Sequence, residues 1–389
     1  PGSSRWGSAQ SRELDMQRST DRILVSHVGR LPAPKALDGL AAEAETNLEA
    51  YQAALPEAVR QILHQQREVG VDVVNDGELG KIGGFSRYVR TRLTGYEEKA
   101  LPVLVGREQA SFPSYSVGRV GGPLPEGASP QPRMVGTGPI TYIGQAEIRR
   151  DIENLRAALS EEPALDAFMA AVSPDNVNYL PGANGYYATE EEYIQANADA
   201  LGEEYRAIAD AGFVLQIDMP VMKFNALSLT LEEFRSRFAG LIEILNGALD
   251  GIPADQVRAH ICYGGMKLAH TGDLQLHQFL DLLLGLNADG ISYDQNVRHE
   301  HEWAIFEDVR LPDGKLLMPG VVAHTTDVVE HPELIAQRLV RLANLVGREN
   351  VIAGTDCGLG GRVHPEIAWA KLASMAEGAR LASAALWRR

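Results

Sequence analysis

Cysteine is nearly absent: the 389-residue chain carries two, Cys262 and Cys357. Two thiols cannot build a disulfide framework, so a reducing, cytoplasmic compartment is the expectation. Long apolar runs are missing too. No stretch reaches the roughly 18 apolar residues that cross a bilayer, and the start of the chain shows no secretory pattern. Basic residues are outnumbered, 36 Lys and Arg against 52 Asp and Glu, for a formal net charge of −16. That balance argues against nucleic acid or an anionic membrane as a partner, and no basic run offsets it. There is no phosphate-binding Gly-rich loop, no Gly-x-Ser-x-Gly elbow and no dinucleotide fingerprint in a strand–helix setting. A small molecule is the expected partner.

What remains is an ordinary globular composition, 45% hydrophobic and 23% charged, long enough for a large core. Residues 1–15 are polar and patternless and read as an expression remnant or disordered tail. From residue 16 to 389 the chain reads as one domain. Nine short apolar runs punctuate it, at 23–27, 71–76, 133–142, 168–173, 213–219, 257–263, 290–294, 319–324 and 351–357. Each is bounded by Gly, Pro or Asp, as buried parallel strands are. Amphipathic stretches between them open on acidic residues and close at Gly70, Gly212 and Gly347, in keeping with helix polarity and C-capping. The alternation predicts an α/β fold, a (β/α)8 TIM barrel with an N-terminal capping helix. Nine runs are one too many for eight strands. The Gly-, Pro- and Ser-rich region 97–142 is therefore expected to hold a β-hairpin insertion.

Polar residues gather where these strands end: Asn75, Asp76 and Glu78, then Asp218, His260, Cys262, Asp294, His324, Asp356 and Cys357. In a barrel those positions form the C-terminal mouth, where active sites sit. Residues i and i+2 of a strand share a face, so His260 and Cys262 of "AHICYGG" project together. Imidazole and thiolate are zinc ligands. Cys357 ends another strand, and barrel closure can bring it to the same mouth. The competing reading is that each cysteine is a small buried apolar residue.

The segments "STDRILVSHVGRLP", "VNDGELGK", "GTGPITY", "QIDMP", "AHICYGG", "RHEHEW" and "ENVIAGTDCGLGGRVHP" together resemble the catalytic barrel of the cobalamin-independent methionine synthase family. The short, single-barrel members are the nearer match. The resemblance covers nearly all of residues 16 to 385 and implies a transferase: a zinc-dependent thiol methyltransferase acting on homocysteine or a similar thiol. It implies Zn2+ on His260, Cys262 and Cys357, with a carboxylate ligand at Asp294, where the family has a longer Glu. It places Glu78 and Asp218 around the amino group of the thiol substrate. The family's "IGS" turn is "VGR" here, so Gly29 and Arg30 stand at the substrate's acid group, with arginine in place of serine. His324 falls one residue short of the family's proton-donating histidine.

The second barrel of full-length family members is missing from this chain, so the methyl donor stays open between a folate, a methylated corrinoid protein and a small metabolite. Two rival readings stand beside the methyltransferase. In an epoxyalkane:coenzyme M transferase-like enzyme, Arg30 would hold a sulfonated thiol. In a non-catalytic zinc-binding barrel the ligands would only store metal. "RHEHEW" reads as a salt-bridged turn, and "NGYY" and Trp303 as packing or as an aromatic wall.

Overall fold

Eight of the nine apolar runs form one parallel sheet. The computed structural model describes residues 16–40, 47–82, 88–101, 104, 106–116, 131–264, 269–295 and 297–388; the polar stretch 1–15 lies outside the described residues. The strands among them are β1 (Leu24–Val25), β2 (Val73–Val74), β3 (Tyr96–Leu101), β4 (Gln131–Gly136), β5 (Asp166–Val172), β6 (Val214–Asp218), β7 (Val257–Ile261), β8 (Gly290–Tyr293), β9 (Leu316–Val322) and β10 (Ile352–Thr355). Their order in the large sheet is β1-β10-β9-β8-β7-β6-β5-β2, with every pairing parallel. The two ends of that order meet at Asp72. Its backbone N–H donates to the Val25 carbonyl at 2.9 Å, and its carboxylate accepts from the Val25 N–H at 3.0 Å. A side chain thus supplies part of the closure that two-residue strands cannot.

Helices Leu48–Glu68, Gln145–Glu161, Glu190–Asp210, Leu231–Ala248, Pro332–Val346 and Pro365–Leu386 alternate with the strands. Their starts follow from the sequence. Thr189 accepts from the Glu192 N–H at 3.1 Å, and Thr230 with Glu233 forms a reciprocal capping box, each cap being worth about 1 kcal/mol. Gly70 and Gly212 end two of the helices at φ 91° and 84°, a conformation that glycine adopts without the Cβ penalty. No helix among the described residues is long and apolar enough to cross a membrane.

The ninth run is the second strand of the expected hairpin. β3 and β4 pair antiparallel from Tyr96↔Gly136 to Leu101↔Gln131. β3 escapes detection because "YEEKAL" exposes Glu97 to Ala100 and so has no apolar alternation to read. The hairpin's root is tied to the barrel by Arg92, buried at 2% exposure. Arg92 reaches Asp151 at 2.5 Å and Glu204 at 2.9 Å, and Tyr142 donates to Glu204 at 2.7 Å.

A capping helix ahead of β1 is not found among the described residues. Residues 16–23 are irregular, and the closed end of the barrel is plugged by the Met16 side chain instead. Met16 packs with Leu24, Val73, Phe168, Val214, Leu316, Met318 and Ile352, and its N–H bonds the Asp255 carbonyl at 2.8 Å. One flexible thioether fills that space without the length of a helix.

Candidate metal centre and thiol pocket

The inward face of β6, β7 and β8 is laid out in rows by strand register. Asp218 pairs with His260 and His260 with Ser292; one row deeper, Gln216 pairs with Arg258 and Arg258 with Gly290. The upper row opens onto the barrel mouth. His260 ends β7 one residue before its last, and Cys262 follows on the same face. Cys357 follows the end of β10.

Ligand atoms of His260, Cys262 and Cys357 all lie within 4.8 Å of one another, and all three residues are buried. His260 Nδ1 is engaged by Ser292 Oγ at 3.2 Å. Its Nε2 is buried and, among the described residues, has no hydrogen-bond partner outside the trio. A serine on one ring nitrogen fixes the ring and leaves the other for a ligand, the usual arrangement around a metal-binding histidine. The two sulfurs behave as a pair sharing one proton. Contact with Cys262 holds the Cys357 thiol well below the usual range, and contact with Cys357 drives Cys262 well above it. Burial pulls the His260 imidazole down, but Cys357 outweighs it and the net shift is upward. The donor set fits zinc: bonds of about 2.3 Å to sulfur and 2.0 Å to nitrogen put tetrahedral ligand atoms roughly 3.5 to 4 Å apart.

Asp294 lies outside that trio. Its carboxyl group hydrogen-bonds Asp356 instead, and burial together with Asp294 lifts the Asp356 carboxyl well above the ordinary range. Two buried carboxyls in contact cannot both ionise cheaply. A side chain one methylene shorter than glutamate meets this neighbour.

Glu78 and Asp218 come together beside His260. Burial, opposed by His260 and reinforced by Glu78, lifts the Asp218 carboxyl to about 7. Glu78 is held at φ 56°, a left-handed backbone that costs a non-glycine residue on the order of 1 to 3 kcal/mol and tends to occur at functional sites. Asp76 Oδ1 accepts from the Glu78 N–H at 2.9 Å and Asn75 Oδ1 from the Gly77 N–H at 2.8 Å, which locks the turn. A Cβ at Gly29 would meet Glu78 Oε1 at 1.9 Å, so only glycine lets the carboxylate lie across this backbone. Arg30 stands beside it: Nε is 3.7 Å from Glu78 Oε2, and Nη2 donates to the Lys81 carbonyl at 2.6 Å. Acid and base for a zwitterion are thus side by side.

His324 follows β9, is 1% exposed, and among the described residues neither ring nitrogen has a side-chain hydrogen-bond partner. Burial lowers its pKa, and Cys357 is the largest opposing influence. Arg362 escaped sequence reading. Its guanidinium lies against Cys357, which raises the arginine's pKa, and its Nη1 donates to the Gly358 carbonyl at 3.0 Å. Its signal was a cation in the loop leaving a candidate ligand strand. "RHEHEW" is a salt-bridged turn: His299 lies 3.2 Å from both Asp273 and Glu302, and Arg338 pairs with Glu300 at 2.8 Å. Tyr187 packs on Tyr193 and Trp303 under Arg341.

Residues 188–381 match the family model described as cobalamin-independent synthase, catalytic domain. A methionine synthase of Methanothermobacter marburgensis is 23% identical over 92% of this chain and 99% of its own length. A 2-hydroxypropyl-CoM lyase of Xanthobacter autotrophicus is 24% identical over 94% of this chain and 96% of its own. A B12-independent methionine synthase from Shewanella sp. W3-18-1, solved with selenomethionine, has the same fold at TM-score 0.69, with 21% identity, 92% of this chain and 97% of that one covered. Through its catalytic domain, this chain belongs to the cobalamin-independent methionine synthase family of transferases.

Proposed function

We propose that the protein is a zinc-dependent thiol S-methyltransferase that passes a methyl group to homocysteine or a closely similar thiol. The observation that carries this is the buried His260–Cys262–Cys357 trio within 4.8 Å, with His260 Nε2 free, among the described residues, of any partner outside the trio. Zinc held there would supply the Lewis acidity that turns a thiol, mostly protonated at pH 7, into a nucleophile.

The chain's own residues do the rest. Glu78 and Asp218 receive the substrate ammonium, and Arg30 its carboxylate. Their separation along the pocket wall fixes where the sulfur lies relative to the mouth, which is the entropic part of catalysis. His324, whose burial favours the neutral imidazole, takes the proton the thiol gives up and returns it to the leaving group, so the cycle closes without net proton uptake. The methyl donor is a folate or a small methylated metabolite; a corrinoid protein has no support in a family described as cobalamin-independent.

X-ray absorption on metal-loaded protein tests the reading. Adding homocysteine is expected to add a sulfur neighbour to a site already holding two. A preference for a sulfonated thiol would move the assignment to the coenzyme M reading, which Arg30 and the Xanthobacter relative favour. An unchanged spectrum with every thiol would leave only the non-catalytic metal barrel.

A further inference from the structure

Beneath the metal trio the barrel holds a buried arginine that the chemistry above does not use. Arg258 lies two residues before His260 on β7 and is 1% exposed. Its acceptors are all uncharged: Gln216 Oε1 at 2.8 Å, Ser26 Oγ at 3.1 Å, the His27 carbonyl at 3.0 Å and Met318 Sδ at 3.6 Å. The guanidinium also lies 3.5 Å from the Phe168 ring centroid. Burying a guanidinium without a contacting carboxylate is costly. An apolar residue would fill the barrel more cheaply, so its polar contacts need another reason.

Gln216 gives one. It is 0% exposed, and all its hydrogen-bonding capacity is directed. Arginine can only donate, so Gln216 Oε1 must face Arg258. Its amide nitrogen is then forced toward the mouth, where it donates to the Val28 carbonyl at 2.5 Å and to Asp218 Oδ1 at 2.7 Å. Rotating the amide would set N–H groups against a guanidinium. Arg258 also holds Ser26 and His27 directly. One arginine therefore orients both walls of the thiol pocket: the Asp218 carboxylate through Gln216, and the 26–30 segment that leads into Gly29 and Arg30.

We infer that Arg258 and Gln216 are positioning residues that set the geometry with which this barrel recognises the amino-acid end of its thiol substrate, leaving the metal trio untouched. This rests on the reading of Glu78, Asp218 and Arg30 as the amino-acid pocket.

The decisive variant is Gln216→Glu in the metal-loaded full chain. Glutamate keeps an acceptor for Arg258 and gives it a counter-charge. It removes both N–H donors and sets a like charge beside Asp218. If Gln216 served only to satisfy Arg258, the variant would bind thiols as the parent does. The inference expects unchanged metal content and folding, and selectivity for homocysteine over 1-propanethiol reduced about tenfold or more, the scale of a lost hydrogen bond to a charged group. Arg258→Met, which carries no N–H donor and so frees the Gln216 amide to rotate, is expected to move the same ratio in the same direction. Equal weakening of both thiols, or no change, overturns the inference. Should the parent protein itself show no preference for homocysteine, the pocket reading fails on its own. The crystal structure of Gln216→Glu then decides the positioning claim: an Asp218 carboxylate and Val28–Arg30 turn left in place would overturn it.

Discussion

At the closed end of the barrel, Met16, Leu24, Val73, Phe168, Val214, Leu316, Met318 and Ile352 pack into an apolar layer. At the mouth, among the described residues, His260 Nε2, both ring nitrogens of His324 and Asp356 Oδ2 are buried with no side-chain partner outside the trio and the Asp294–Asp356 pair. Each such atom costs roughly 1 to 3 kcal/mol relative to a satisfied one. The lower layer maximises burial, and the upper one gives some of it up. A ligand or metal that filled those valences would recover that cost, which is why unsatisfied polar atoms mark a site more sharply than polarity alone. Between the two lies the Arg258–Gln216 row, polar but fully bonded.

The sharpest way to break this contrast is Cys357→Ser. Removing a sulfur from the trio is expected to abolish stoichiometric metal binding and to lower turnover at least about a hundredfold, since even residues behind metal ligands act on that scale. Metal analysis and a thiol methylation assay read the two effects. Urea unfolding of the metal-free protein should be nearly unchanged, because the lower layer does not depend on the mouth. A metal content equal to the parent's would remove the trio from the chemistry.

The converse change is Phe168→Ala. It empties part of the lower layer and removes the ring under Arg258. The expected loss is about 3 to 5 kcal/mol of stability, seen as a lower urea midpoint, with one metal per chain retained. Loss of metal in step with stability would mean that the two ends are not separable.

Much of this was legible in the chain. Eight parallel strands could be read from runs such as 213–219 and 351–357 because strands buried on both faces are continuously apolar. The trio could be read because His260 and Cys262 share a strand face. What was not legible depended on contact between distant segments. Arg362 reaches Cys357 only through a loop conformation, and Asp294 meets Asp356 across the ends of β8 and β10, with β9 between them. β3 carries its charges on an exposed hairpin, so no apolar period betrayed it. Met16 plugs the barrel from an irregular segment, and a single side chain there carries no periodicity to read. Gln216 and Arg258 look like stray polar residues in strands until the register sets them side by side.

A pH experiment probes the mouth at a lower amplitude. Tyr263, next to Cys262, stacks on His299 with centroids 3.9 Å apart. Burial opposes charging His299, but Asp273 and Glu302 prevail and raise it to about 9. A raised folded pKa means that the stabilisation is fully present below the unfolded value near 6.5 and is lost as pH climbs through about 9. The amount is on the order of 3 kcal/mol. Stability measured from pH 6 to 10 should fall across that window in the parent and stay flatter in His299→Gln. Identical profiles would show that the imidazolium does not hold the loop after Cys262.

The smallest expected effect sharpens the boundary itself. Gly290 sits on β8 between the two regions, and a Cβ there would meet Arg258 Cβ at 2.5 Å and Met16 Cε at 2.9 Å. Its backbone is ordinary strand, so the constraint is space rather than dihedral freedom. Gly290→Ala must therefore relieve two overlaps, one with the terminal methyl of the plug below and one with the stem of the arginine above. Met16 can swing its terminal methyl aside, whereas the Arg258 guanidinium is fixed by four acceptors and a ring, so the contact with its stem is relieved by a small parting of β7 and β8. The side chain of Met16 should therefore yield first. The cost is about 1 to 3 kcal/mol of overpacking, with thiol selectivity intact. A variant that kept its stability but lost selectivity would show the reverse: the arginine had moved, and the polar row is softer than the apolar layer beneath it.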